Sequence, residues 1–182
     1  MEESLKPKVV ISKCIEFEHS RWDGRIVSSD FVKKLKAYVE FVPVCPEVEI
    51  GLGVLRDPIR IISTDGNPRL IQLNTDLDVT DKMLSFTRSF LDSLPAVDGF
   101  ILKSRSPTCA IKDAKVYSNK YQDVLPISKG PGFFGHAVLE RFPLLAIEDE
   151  ERLRNPQVAE DFMTKIFPPA HSRKNKASDS SD

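Results

Sequence analysis

Apolar residues fall in short bursts along this chain, separated by polar loops and by stretches with helical spacing. Lys8 to Ser12 (KVVIS) is a brief apolar run, the pattern of a buried strand. After a polar loop, Ser29-Asp30 is placed to cap a helix carrying Phe31, Leu35 and Tyr38. Glu40 to Val44 (EFVPV) reads as a second strand. Ile59 to Ser63 and Arg69 to Leu73 flank the turn-rich Thr64-Asp65-Gly66-Asn67-Pro68, which predicts a hairpin. Thr80 is a good N-cap for a long helix, since Met83, Leu84, Thr87, Phe90, Leu91 and Leu94 recur on one face until Pro95. Gly99 to Lys103 (GFILK) predicts a strand, Gly135 to Phe142 a helix, Leu144 to Ile147 a strand, and Pro156 to Phe167 a helix. Strands alternating with helices predict a single α/β domain: a mainly parallel sheet flanked by helices, with one hairpin. From Pro168 onward the sequence (PPAHSRKNKASDSSD) has almost nothing to bury, so a disordered C-terminal tail is expected.

Composition narrows the function classes. The 182 residues match the size of one domain, about 100–200 residues. With 26 Lys plus Arg against 27 Asp plus Glu, the net charge is −1. No global positive field exists to hold a nucleic-acid backbone, and no nucleic-acid partner is expected. No apolar run approaches the length that spans a membrane. Met1 to Lys8 is polar and lacks the apolar stretch of a signal peptide, so a cytoplasmic location is expected. His19, His136 and His171 form no ligand spacing.

The three cysteines change the picture. Their odd number in a reducing compartment argues against a disulfide framework. Cys14 follows the first strand, Cys45 the second, and Cys109 lies in the loop after GFILK. All three therefore follow carboxyl ends of strands, the edge where open parallel sheets form ligand sites. Three thiolates at one rim would suit a soft metal centre: an iron–sulfur cluster, zinc or copper(I). Structural zinc normally takes four protein ligands, and three leave one position open. The bland alternative is three buried small hydrophobes, the common fate of a free cysteine.

The surrounding residues supply a resemblance. Ser12-Lys13-Cys14, Arg21-Trp22-Asp23-Gly24, Cys45-Pro46-Glu47, Gly51-Leu52-Gly53, Arg56-Asp57-Pro58, Asp78-Val79-Thr80 and Lys103-Ser104-Arg105-Ser106-Pro107-Thr108-Cys109 occur in that order. In this the chain resembles the TudS-like thiouracil desulfidase family, from about Lys8 to Glu150. The resemblance implies a desulfidase domain over 1–150, a helical extension over 151–167 and the tail over 168–182. It implies a [4Fe-4S] cluster on Cys14, Cys45 and Cys109, with the fourth iron free to take the sulfur of a thiolated uracil or related small thio-compound. It implies Glu47 and Ser106 as catalytic residues. Ser12, Arg21, Asp23, Lys103 and Ser104, within the matching motifs, become candidates to bind the substrate.

Elementary chemistry agrees with that implication. An iron with an open position is a thiophilic Lewis acid. A carboxylate two residues from a ligand can reach an attacking water as general base. A hydroxyl three residues before another ligand can orient the substrate, and no net redox change is required. Taken singly, the same residues have plainer readings. Glu47 after Cys-Pro would cap the next segment, Ser106 before Pro107 and Asp23-Gly24 are ordinary turn residues, and Arg21 and Lys103 are surface charges. The Trp22 ring reads as a packing residue rather than one that stacks on a base. The cysteines alone would also serve a non-enzymatic cluster-binding sensor or sulfur-handling partner.

Three departures from the family pattern matter. Many relatives carry a cysteine where Ser20 stands, so Ser20 cannot be a ligand. Ala110 stands where glycine is common after the third cysteine. The wording from Gly132 to Glu150 looks most like a two-domain branch whose members continue into a helical domain, whereas a polar tail follows here. A competing motif is Gly130-Pro131-Gly132-Phe133-Phe134-Gly135, a literal G-x-G-x-x-G with Glu148 downstream. It outlines a dinucleotide fingerprint, but Pro126 makes the preceding run a poor central strand. Pro131 also removes a donor from a loop whose role is donation. The alternative is a glycine-rich turn into a packed helix.

Overall fold

A computed structural model describes residues 6–121 and 123–167. In chain order the elements are β1 (Lys8–Ser12), α1 (Asp30–Leu35), β2 (Glu40–Val44), α2 (Pro46–Glu49), β3 (Ile59–Thr64), β4 (Asn67–Gln72), α3 (Thr80–Ser93), β5 (Gly99–Leu102), β6 (Ala114–Tyr117), β7 (Ser128–Gly130), α4 (Phe133–Arg141), β8 (Ala146–Asp149) and α5 (Pro156–Ile166). A 3₁₀ turn, Arg152–Arg154, joins β8 to α5. The expected tail over 168–182 lies outside the described residues.

The predicted α/β domain is present. β2, β1, β5 and β8 form a parallel sheet in that order, with Val10 opposite Val42 on one side and Phe100 on the other. β1 is central, and Val9, Val10 and Ile11 are all buried, as a strand covered on both faces requires. On one face Val9 and Ile11 meet Val32 and Leu35 of α1 and Phe162 and Ile166 of α5. On the other, Val10, Phe100 and Leu102 meet Leu91 of α3 and Phe134 and Val138 of α4. A Cβ at Gly99 would stand 2.8 Å from the Ala146 carbonyl oxygen, so only glycine lets β5 approach β8 this closely.

The hairpin is also present, as β3 and β4, but it belongs to a second sheet that the sequence pattern did not reveal. That sheet runs β4-β3-β6-β7 and is mixed: β3 and β6 are parallel, the outer pairs antiparallel. β6 and β7 are four and three residues long, too short for a period-two pattern. The run containing Pro126 contributes only the edge strand β7, as the proline demands. Ser29 caps α1 as predicted, its hydroxyl accepting Val32 N–H, although α1 ends before Tyr38. Thr80 does not cap α3. It is the first helical residue, its hydroxyl accepts the Leu70 N–H at 2.7 Å, and Asp78 accepts the Thr80 N–H at 2.9 Å. A neighbouring strand claimed the side chain that local propensity assigned to the cap.

Candidate functional site

Chain order in the parallel sheet steps from β1 to β2 on one side, then to β5 on the other, so the crevice opens beyond the carboxyl ends of these three strands. Cys14, Cys45 and Cys109 line one cavity of about 380 Å³ there, together with Ser12, Ser20, Arg21, Glu47, Arg56, Lys103, Ser104 and Ser106. Residues 31 and 64 apart along the chain thus meet in space. Of the ten candidate site residues, Asp23 alone lies outside the lining. Trp22, expected to pack, stands at the cavity wall with 47% of its surface exposed.

Each cysteine is held by local backbone geometry. Cys14 follows the end of β1, and its carbonyl accepts the Val27 N–H at 2.7 Å. Cys45 occupies the N-cap position of α2, and its carbonyl accepts the Val48 and Glu49 N–H groups at 3.0 Å. Its thiol lies 3.6 Å from the Ser20 carbonyl oxygen. Cys109 sits in a turn closed by Ser106, whose hydroxyl oxygen accepts the N–H of Thr108 at 3.2 Å and of Cys109 at 3.0 Å. That leaves the Ser106 hydroxyl hydrogen free to donate. Arg105 in the same loop holds φ at 59°, a conformation stabilised where its N–H reaches Asp113 at 2.6 Å.

The glycine-rich motif supports this loop rather than a phosphate. The N–H groups of Phe134 and Gly135, in the first turn of α4, donate to the Thr108 carbonyl at 2.9 and 3.0 Å, and Gly132 N–H donates to Ala110 at 2.8 Å. A Cβ on Gly132 would meet Thr108 backbone at 2.5 Å, and one on Gly135 would meet the Ala110 oxygen at 2.1 Å. The donors that a dinucleotide would need are spent on the Cys109 loop, and the glycines let the helix approach it.

Electrostatics around the sulfurs is dominated by burial. Burial pushes the Cys14 thiol up to about 12, with the neighbouring Cys45 sulfur adding to the shift while Lys103 and Arg21 oppose it. Burial likewise raises Cys45 and lifts Cys109 well above its ordinary value. The free thiols are therefore protonated at neutral pH, and a metal that binds them must release those protons. Among the described residues no three His, Cys, Asp or Glu side chains converge closely enough for a single metal ion. Three soft sulfurs spread around one cavity fit a polynuclear iron–sulfur group instead.

The polar lining is tied together by residues whose roles single-residue reasoning did not reach. Arg56 forms a two-pronged ion pair with Glu47 Oε2, through Nε at 2.8 Å and Nη2 at 2.5 Å. Glu47 Oε1 accepts the Thr108 hydroxyl at 2.9 Å. Arg56 Nη1 also reaches the carbonyls of Ser20 at 3.0 Å and Gly53 at 2.6 Å. Glu150, at the end of β8, accepts the Ser104 N–H and hydroxyl, both at 2.8 Å, and pairs with the Lys103 ammonium. Ser12 accepts the Lys103 N–H at 2.9 Å and lines the cavity beside Cys109. Arg21 pairs with Asp23 at 3.2 Å, and Asp23 also takes the Arg25 N–H at 3.1 Å, so Asp23 sits behind Arg21, outside the cavity lining.

An α/β domain that gathers three cysteines, a buried carboxylate and a free hydroxyl at its switch point belongs to the class of soft-metal, sulfur-handling sites. Residues 9–150 match the 2-thiouracil desulfurase family model, and the chain belongs to that family. A solved structure described as the [4Fe-4S]-dependent thiouracil desulfidase TudS superposes with a TM-score of 0.65 at 25% identity, covering 86% of this chain and 97% of that one. No curated protein matches the sequence significantly.

Proposed function

We propose that this protein is a [4Fe-4S]-dependent, non-redox desulfidase that removes sulfur from a thiolated uracil or a related small thio-compound. Membership of the 2-thiouracil desulfurase family and the likeness to TudS support the activity and the cofactor. The observation that carries the site is the convergence of Cys14, Cys45 and Cys109 on one cavity beside Glu47 and Ser106. The three cysteines hold the cluster. When bound, it supplies an iron without a protein ligand, a Lewis acid suited to sulfur.

The chain's own groups supply the rest. The reaction exchanges C=S for C=O: water adds to the thiocarbonyl carbon, and the C–S bond breaks to release sulfide. Glu47, fixed by Arg56 and Thr108, takes the proton from water as general base. The Ser106 hydroxyl donates to the substrate and orients it. Arg21 and Lys103 offset negative charge in the cavity wall, while Ser12 and Ser104 fix the Lys103 segment. Among the described residues no helix is long and apolar enough to cross a membrane. Three free cysteines suit a reducing, cytoplasmic compartment.

Anaerobic reconstitution followed by iron and sulfide analysis tests the cofactor. About four of each per chain is expected, and stoichiometric zinc without sulfide would contradict it. Cys14→Ala, Cys45→Ala and Cys109→Ala should each strip or destabilise the cluster. Any one that leaves iron and spectrum intact removes that cysteine from the ligand set.

A further inference from the structure

Ser20 stands in the cavity wall with 1% of its surface exposed, and its hydroxyl has no hydrogen-bond partner among the described residues. Buried hydroxyls are almost always paired, so an orphan at a ligand cavity points to a partner that arrives with the ligand. Thr87, the other such hydroxyl among the described residues, lies on α3 away from the cavity. The backbone of Ser20 is already committed. Its N–H donates to the Glu18 carbonyl at 2.8 Å, and its carbonyl accepts Arg56 Nη1 at 3.0 Å and the Cys45 thiol at 3.6 Å. The hydroxyl is the one unspent polar group of the residue, and it shares a residue with the carbonyl that touches Cys45.

Iron changes what Cys45 can do. As a thiol it donates to the Ser20 carbonyl. As an iron-bound thiolate it has no hydrogen to give, and its sulfur only accepts. The Val48 N–H is taken by the Cys45 carbonyl at 3.0 Å, and the Cys45 side chain makes no hydrogen bond to its helix's first turn. Ser20 and Cys45 line the same cavity and already touch through the Ser20 carbonyl, which places the unpartnered Ser20 hydroxyl beside that sulfur as a donor. We propose that the Ser20 hydroxyl is a positioning residue that donates a hydrogen bond to the Cys45 sulfur when that sulfur is bound to iron. This rests on the cluster reading above. Donation to a cluster sulfur withdraws electron density and stabilises the more negative, reduced form, so it raises the reduction potential.

The test compares the anaerobically reconstituted protein with Ser20→Ala, Ser20→Val and Ser20→Thr, reading iron content and cluster midpoint potential. Threonine and valine differ only in hydroxyl against methyl. Ser20→Ala and Ser20→Val should shift the potential to more negative values at full iron content, while Ser20→Thr stays with the unaltered protein. Loss of iron from the alanine and valine variants, with retention in threonine, supports the same donor. Equal potentials at equal iron across all four would overturn the proposal. So would loss of iron from the threonine variant as well, since Ser20 would then act through its size. Failure of the unaltered protein to hold any cluster would overturn the cofactor reading and this proposal together, whereas unchanged potentials overturn this one alone.

Discussion

The Arg56 guanidinium grips Glu47 with two nitrogens, 2.8 and 2.5 Å from the same carboxylate oxygen. Both side chains are almost wholly buried. A buried pair of this kind is not a large net gain in stability, but breaking one side of it is costly. Arg56→Met leaves Glu47 without its counter-charge and frees the Ser20 and Gly53 carbonyls. The expected loss is about 3–5 kcal/mol, read from urea unfolding. Lysine should rescue little, because one ammonium cannot reproduce the two-pronged geometry. A loss below about 1 kcal/mol would show that the pair is solvated in solution.

Glu47→Gln keeps the shape of the side chain and removes the base. Iron content should stay intact while sulfide release falls about 10²–10⁴-fold. Ser106→Ala should lower release more mildly, and it also removes the acceptor for the Cys109 N–H, so iron must be measured alongside. Undiminished turnover at full iron in Glu47→Gln would leave Glu47 as a fixed loop residue and move the search for a base elsewhere.

Gly135 carries a prediction that opposes local propensity. Alanine favours a helix over glycine by about 0.8–1 kcal/mol. Here its Cβ would stand 2.1 Å from the Ala110 oxygen and 2.7 Å from the Cys109 oxygen. Gly135→Ala should therefore displace the Cys109 loop, cost about 1–3 kcal/mol and weaken iron retention. Gly130→Ala is the control, with nothing within 4 Å of the added methyl. Equal iron retention in the two variants would detach the glycine motif from the site.

Burial that raises the Cys14 thiol to about 12 makes the metal-free protein sensitive to alkali. Below the ordinary thiol range, folded and unfolded chains both carry the proton. Above it the unfolded chain loses the proton first, so stability falls as pH rises toward about 12. The melting temperature of the metal-free protein should drop through this window. The iron-loaded protein, whose thiolates no longer titrate, should drop much less. Parallel curves for the two forms would mean that the cysteines bind no iron.

How much of this was legible follows from distance along the chain. Strands β1, β2 and β5 are short apolar runs, and the rule that sheets bind at their carboxyl ends brought three distant cysteines together from sequence alone. Arg56 and Glu47 are 9 residues apart, Thr108 and Glu47 are 61 apart, and Glu150 lies 46 residues from Ser104. No spacing rule links such pairs, because only the packed sheets set them side by side. Asp23 carries the opposite lesson: its place in the Arg21-Trp22-Asp23-Gly24 motif made it a candidate, but its carboxylate is consumed by Arg21 and Arg25. The G-x-G-x-x-G pattern did mark a helix start with close backbone contact. Which backbone makes that contact was a tertiary fact, supplied by the Cys109 loop.

The most direct test of the account is the stoichiometry of the reaction itself. Reconstituted protein, incubated anaerobically with 4-thiouracil or 2-thiouracil and no added oxidant or reductant, is assayed for sulfide and uracil together. Multiple turnovers are expected, with one sulfide released for each uracil formed, abolished by removing any of the three cysteines. A cluster-loaded protein that releases no sulfide, or releases it only when a reductant is supplied, would contradict a non-redox desulfidase.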